Sequence, residues 1–189
     1  MGAGQGLIVT MFNHLAHRME QKDLIREAFD NPDGVPEANM DSVNEARAKV
    51  KELFTFDMNK YASKATETID LETNTTMAGK TDVDKVLITG SGTSLVAKTS
   101  GLISVTYYKN AFKSWYSLGS TILHEYYHVA DYASGFASGL YTSMYRKYGN
   151  TLKAAQNVGI KMETRAFNFI AGFGATWSNF NNYRNQYGY

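Results

Sequence analysis

The sequence predicts an α+β domain, rich in helix, with a small mixed β-sheet packed on one central helix. Three observations carry that expectation. Thr121 to Tyr132, read TILHEYYHVADY, is flanked and interleaved by apolar residues almost all round a helical projection, as a buried helix is. Alternating β-branched and aromatic residues are confined to a middle stretch ending at Tyr108. Segments of helical periodicity lie on both sides of that stretch.

Taken in order, Leu7 to Asp30 reads as a helix with Leu7, Met11, Leu15, Met19, Leu24, Ile25, Ala28 and Phe29 as its apolar positions. His14 and His17 sit on it at i, i+3, with no carboxylate on their face, and read as surface residues. Asn31 to Pro36 is a turn cluster holding both prolines. It divides a helical arm and linker, residues 1–36, from the main domain, residues 37–189. Ser42 followed by Glu45 has the form of a capping box, opening a helix with Val43, Ala46, Val50, Leu53 and Phe54 on one side.

Thr66 to Thr81 is rich in Thr, Asp and Glu and reads as loop. Val86–Ile88, Leu95–Ala97 and Leu102–Tyr108 read as strands, the first two around a Gly90-Ser91-Gly92-Thr93 turn. Gly90-x-Gly92 lacks a third glycine and a following helix, which rejects a phosphate-binding loop. Leu102–Tyr108 leads almost directly into the central helix. It is either an edge strand, whose free backbone groups pair with an extended peptide, or an internal strand of the small sheet. Gly135–Gly139 reads as a turn, Leu140–Tyr148 as a short helix and Thr151–Ile170 as a long one. The Asn/Tyr-rich tail from Ser178 is expected on the surface.

Composition narrows the function. The chain has 189 residues, 43% hydrophobic, enough for one domain with a sizeable core. A net charge of +1 points to neither nucleic acid nor an anionic membrane as partner. There is no cysteine, so a metal site has to be built from His, Asp or Glu. The apolar run Leu7–Phe12 is too short to span a membrane and has no basic flank, so it reads as neither a signal peptide nor a transmembrane helix. Gly6 stands where a myristoylation motif needs Ser or Thr.

Within the central helix, His124-Glu125-Tyr126-Tyr127-His128 is an H-E-x-x-H motif. Residues i and i+4 share a helix face, so both imidazoles can grip one ion, with zinc the usual occupant. Glu125 lies about 100° round the helix. There it reaches a water held by the metal without ligating the metal, the arrangement for metal-assisted hydrolysis with Glu125 as general base.

A catalytic zinc takes three protein ligands. The metzincin pattern would need its third ligand at Ser134 and a glycine at Asp131, and neither is present. Glu163 is the candidate: its neighbours Gly159, Ile160, Ala166 and Phe167 form an apolar stripe in which a carboxylate is costly unless paired. Asp131, one turn past His128, is the rival ligand, preferred as an outer acceptor of a hydrogen bond from a ligand histidine. Tyr141, Tyr145 and Tyr148 are candidate phenols for stabilising an oxyanion, with packing as their alternative role.

His124-Glu125-x-x-His128 with Glu163-x-x-Ala166-Phe167 on a later helix resembles the gluzincin branch of zinc metallopeptidases. His128-Val129-Ala130-Asp131-Tyr132 resembles the anthrax lethal factor group. The likeness covers Thr121 to Phe173 and implies a zincin-like fold, a bound Zn2+ and a protein or peptide substrate. Gly2-Ala3-Gly4-Gln5-Gly6 through Phe12-Asn13-His14 resembles the junction after the repeat core of Rhs-type polymorphic toxins of Bacteroidetes. That likeness implies a toxin effector domain delivered within a larger secreted bacterial protein, with a cognate inhibitor or immunity protein. The alternative is a zincin-derived binding domain that recognises a protein partner without cutting it.

Overall fold

Among the described residues, five helices and a three-stranded mixed sheet make up an α+β fold. The structure, a computed structural model, describes residue 29, residues 34–53 and residues 58–170. Apart from Phe29, the predicted helix over 7–30 with His14 and His17 lies outside the described residues, as does the tail from Ser178.

Helix α1 (Met40–Leu53) is capped by Asn39, whose Oδ1 accepts from Ser42 N at 2.9 Å, and so starts before the predicted capping box. Ser42 is buried in the first turn instead. The predicted face of α1 holds, with Val43, Ala46 and Val50 fully buried. A short helix α2 (Asn59–Ala62) leads into β1 (Ala65–Asp70), which is followed by β2 (Gly79–Thr89) and β3 (Val96–Tyr108).

Of the expected loop over Thr66–Thr81, residues 71–78 are irregular as expected, while β1 and the start of β2 take its two ends. Burial in β1 and at the start of β2 alternates residue by residue, the period of a strand with one solvated face. The Thr, Asp and Glu that suggested loop include the outward members of that alternation. At the end of β1, Asp70 Oδ1 accepts from Glu72 N and Thr73 N, each at 3.0 Å, and turns the chain.

The sheet order is β1-β3-β2, with β1 parallel and β2 antiparallel to β3. Leu102–Tyr108 is therefore in the central strand, the internal alternative, and the edge nearest the central helix is β2. Leu95–Ala97 and Leu102–Tyr108 join into one strand through Gly101, whose φ of +98° suits glycine. The β2–β3 register slips between Val83 and Lys85, and Asp84 Oδ2 accepts from Leu102 N at 2.9 Å, a bulge closed by a side chain.

Helix α3 (Trp115–Ala133) carries the motif. Ser114 caps it, accepting from Ser117 N at 3.0 Å. It packs against the other four helices and against β2 and β3. Helix α4 (Phe136–Tyr148) begins right after Gly135, which is left-handed at φ +82°, so the turn expected over Gly135–Gly139 is mostly helix. A row on α4 completes the part of β3 that short β1 leaves open. Ser138 Oγ accepts from Thr99 N, Thr142 Oγ1 accepts from Ala97 N, and Arg146 Nε donates to Leu95 O at 2.8 Å. Helix α5 (Leu152–Phe169) is capped by Thr151. No helix among the described residues is long and apolar enough to cross a membrane.

The main core is built from Leu118, Ile122, Leu123 and Val129 of α3 against α1 and β3. Phe29 belongs to it, 3% exposed, with its ring laid on Gly119. A Cβ at Gly119 would come within 2.6 Å of the Phe29 Cζ. Phe29→Ala is expected to destabilise the protein by about 3–5 kcal/mol, the usual cost of emptying a buried aromatic site. Urea unfolding measures this, and a loss below about 1 kcal/mol would mean that residue 29 is not part of the core.

Candidate metal centre

Three side chains from two helices converge on one point. His124 and His128, a turn apart on α3, present their Nε2 atoms 3.1 Å from each other. Glu163 of α5 reaches both, with Oε2 3.0 Å from His124 Nε2 and Oε1 3.1 Å from His128 Nε2. One ligand atom from each lies within 4.8 Å of the others. Asp131 is not in that set.

Local sequence explains the aim of each group. The i, i+4 spacing stacks the imidazoles on one face. Phe167, one turn past Glu163, sets its ring edge to the His124 ring at a centroid distance of 4.7 Å, holding the imidazole from the side. Ala166, beside Glu163 on α5, is fully buried. The site is buried, with His124, Glu125 and His128 only 9, 4 and 5% exposed, so the polar atoms need partners other than bulk water.

The donor set fits a metal ion. Two imidazoles and a carboxylate are a regular zinc set, and bonds of about 2.0–2.2 Å in tetrahedral geometry separate ligand atoms by roughly 3.3–3.6 Å. The separations here are within a few tenths of an ångström of that. The electrostatics agree with a clustered anion and imidazoles. Burial pushes the Glu163 carboxyl up, but His128 and His124 beside it hold it well below the usual carboxylate range. Burial draws His128 down, yet Glu163 outweighs it and the imidazole is pushed up to about 9.

Glu125 points elsewhere. Its carboxylate faces β2, where Thr81 Oγ1 donates to Oε2 at 2.7 Å. Burial raises its pKa, opposed by the two neighbouring imidazoles. Gly79 lies against the same carboxylate: a Cβ there would meet Glu125 Oε1 at 2.7 Å.

Asp131 is held by Arg165, whose Nη2 donates to Oδ1 at 3.2 Å. The same guanidinium lies 3.7 Å from the centre of the Phe136 ring and donates to Tyr127 Oη at 3.3 Å. His128 Nδ1 and Asp131 Oδ2 are buried without hydrogen-bond partners among the described residues, so Asp131 acts on His128 through charge rather than through the expected bond. Tyr145, with Tyr141 and Tyr148 beside it, packs on the far half of the sheet around Leu95 and Ala97.

Four contributors escaped the sequence reading. Thr81 and Gly79 fell in the stretch taken for loop. Arg165, two residues past Glu163 on α5, reaches Asp131. Tyr132 follows His128 at i+4, in one row with both histidines, and its phenol feels the charges of Asp82 and Glu163. That spacing was a readable signal.

No protein-family model matches the chain, and no curated protein or solved structure matches it either.

The ion pair fixes how metal-stripped protein should respond to pH. His128 is raised, so its contribution to stability is complete below about pH 6.5 and is lost as pH climbs through about 9. Glu163 is lowered, so its contribution is present above about pH 4.3 and is lost as pH falls below that. The melting temperature without metal should be highest between roughly pH 5 and 6.5, and Glu163→Gln should flatten the alkaline limb. A parent melting temperature that stays level from about pH 6.5 to 9 would refute the pair.

Proposed function

We propose that this chain is a zinc-dependent metallopeptidase in which His124, His128 and Glu163 bind the metal and Glu125 is the general base. One observation carries the reading: two imidazole nitrogens and a carboxylate oxygen converge within 4.8 Å, while buried Glu125 stands beside them and outside the set. Zinc held there supplies a Lewis acid that brings the pKa of a water toward neutrality. Glu125 takes a proton from the water that attacks the carbonyl carbon and gives it to the amine nitrogen as the C–N bond breaks. Burial raises the Glu125 carboxyl above its ordinary value, the direction that favours a base taking up the proton.

The substrate class follows from the strand beside the base. β2 is an edge of the sheet, and edge backbone groups pair with an extended chain, which favours a protein or peptide. The resemblance of the first residues to Rhs-type toxins adds the proposal of an effector domain with a cognate inhibitor or immunity protein.

A second reading has one observation in its favour. Glu163 Oε2 and Oε1 lie 3.0 and 3.1 Å from His124 and His128 Nε2, so the carboxylate can accept from both imidazoles without a metal and act as a polar latch in a catalytically silent binding domain.

Metal content separates the two. Protein purified without chelator should carry about one zinc per chain by elemental analysis, and less than about a tenth of an equivalent after zinc reconstitution leaves only the latch. Glu125→Gln should keep zinc and fold and lose hydrolysis of casein or another unstructured protein; full activity in that variant ends the proposed mechanism. In chelator competition, Glu163→Ala should weaken zinc binding far more than Asp131→Ala, for which about 10–100-fold is the expectation of an outer residue. The reverse order would mean that the metal is held by a different set.

A further inference from the structure

Beside the ligand cluster lies a contact that ligation does not require. Thr81 Oγ1 is 2.7 Å from Glu125 Oε2 and 3.2 Å from the Glu125 carbonyl oxygen. A hydroxyl has one proton to give, and the shorter contact to a charged acceptor takes it. Two residues earlier on the same face of β2, Gly79 brings bare backbone against the other side of the carboxylate. A Cβ there would be 2.7 Å from Oε1 and 2.8 Å from Cγ. Both oxygens of Glu125 are therefore seated against one strand, and Thr81 is itself fixed by its pairing with Val105 in the central strand.

Helix geometry starts Glu125 about 100° round from the histidines, but a nearby dication would neutralise a buried carboxylate better than anything else in a dry site and so draws it. Its side chain is long enough to swing. Only the cluster of His124, His128 and Glu163 meets the ligand geometry among the described residues, and Glu125 stays outside it.

Resting on the metallopeptidase reading, we propose that Thr81 and Gly79 form a cradle that holds Glu125 away from the metal and keeps it a base instead of a fourth ligand. Thr81 acts through Glu125 and is a positioning residue. A purely structural tie between β2 and α3 makes a different prediction: removing the hydroxyl would lower stability and leave the metal's surroundings unchanged.

Thr81→Val keeps the shape of the side chain and removes its donor. With Glu125 released onto the metal, zinc should bind about tenfold more tightly in chelator competition, the scale of outer-residue effects acting here in the opposite direction. The visible absorption of the cobalt-substituted protein should change with the added ligand. Thr81→Ser should restore both parent values, and Glu125→Ala in the Thr81→Val background should cancel the gain in affinity. Gly79→Ala, which forces the carboxylate aside sterically, should alter the cobalt spectrum by an independent route. If the parent takes up neither zinc nor cobalt, the metallopeptidase reading fails and this inference fails with it. If the parent binds zinc and Thr81→Val matches it in affinity and cobalt spectrum, the cradle alone is overturned.

Discussion

A row of polar side chains, His124, Glu125, His128 and Asp131, lies in a helix that is otherwise core, and the fold is arranged to answer each of them. An apolar face can be covered by any other apolar face. A buried charge or imidazole needs a partner at a defined distance and angle. α5 brings Glu163 to the histidines, β2 brings Thr81 to Glu125, and Arg165 reaches across to Asp131. Glu163 and Arg165 both come from α5 and Thr81 from β2, so α3 is held from two sides and has little freedom to roll or slide without breaking one of these contacts.

The back of the same helix is tied in the same way. Tyr126 lies beside an ion pair between Arg47 of α1 and Glu67 of β1, and Glu67 also accepts from Tyr107 Oη of β3 at 2.6 Å. Burial, and then the charge of Glu67, push the Tyr126 phenol up to about 12. Four elements thus meet at one carboxylate. A network of this kind is directional, and a half-satisfied version is worse than an apolar core, which favours one packing over its near neighbours. The two polar clusters lie on opposite sides of α3, separated by the apolar contacts of Leu118, Ile122 and Val129.

The sheet supplies the third constraint. β2 can lie on α3 at Glu125 only because residue 79 has no side chain. The inward positions that follow carry Thr81 and Val83, while Lys80 and Asp82 face outward and pair at 2.7 Å. The base of the proposed mechanism is therefore set by the first half of β2, whose inner positions are Gly79, Thr81 and Val83.

The sequence by itself determined the fold class, the buried character of the motif helix, the apolar face of α1, and His124, His128 and Glu163 as a set. Those follow from periodicity along a single helix and from the cost of a carboxylate in an apolar stripe, both of which are local. It left open whether Leu102–Tyr108 was edge or interior, and it misread the two ends of Thr66–Thr81, because a strand with one solvated face has the composition of a loop and reveals itself only by pairing. The tertiary structure alone decided that β2 lies over Glu125, that Asp131 turns to Arg165, and that Phe29 lies on Gly119. Each of these depends on which distant element arrives at a given face, and that is set by the packing of the whole chain.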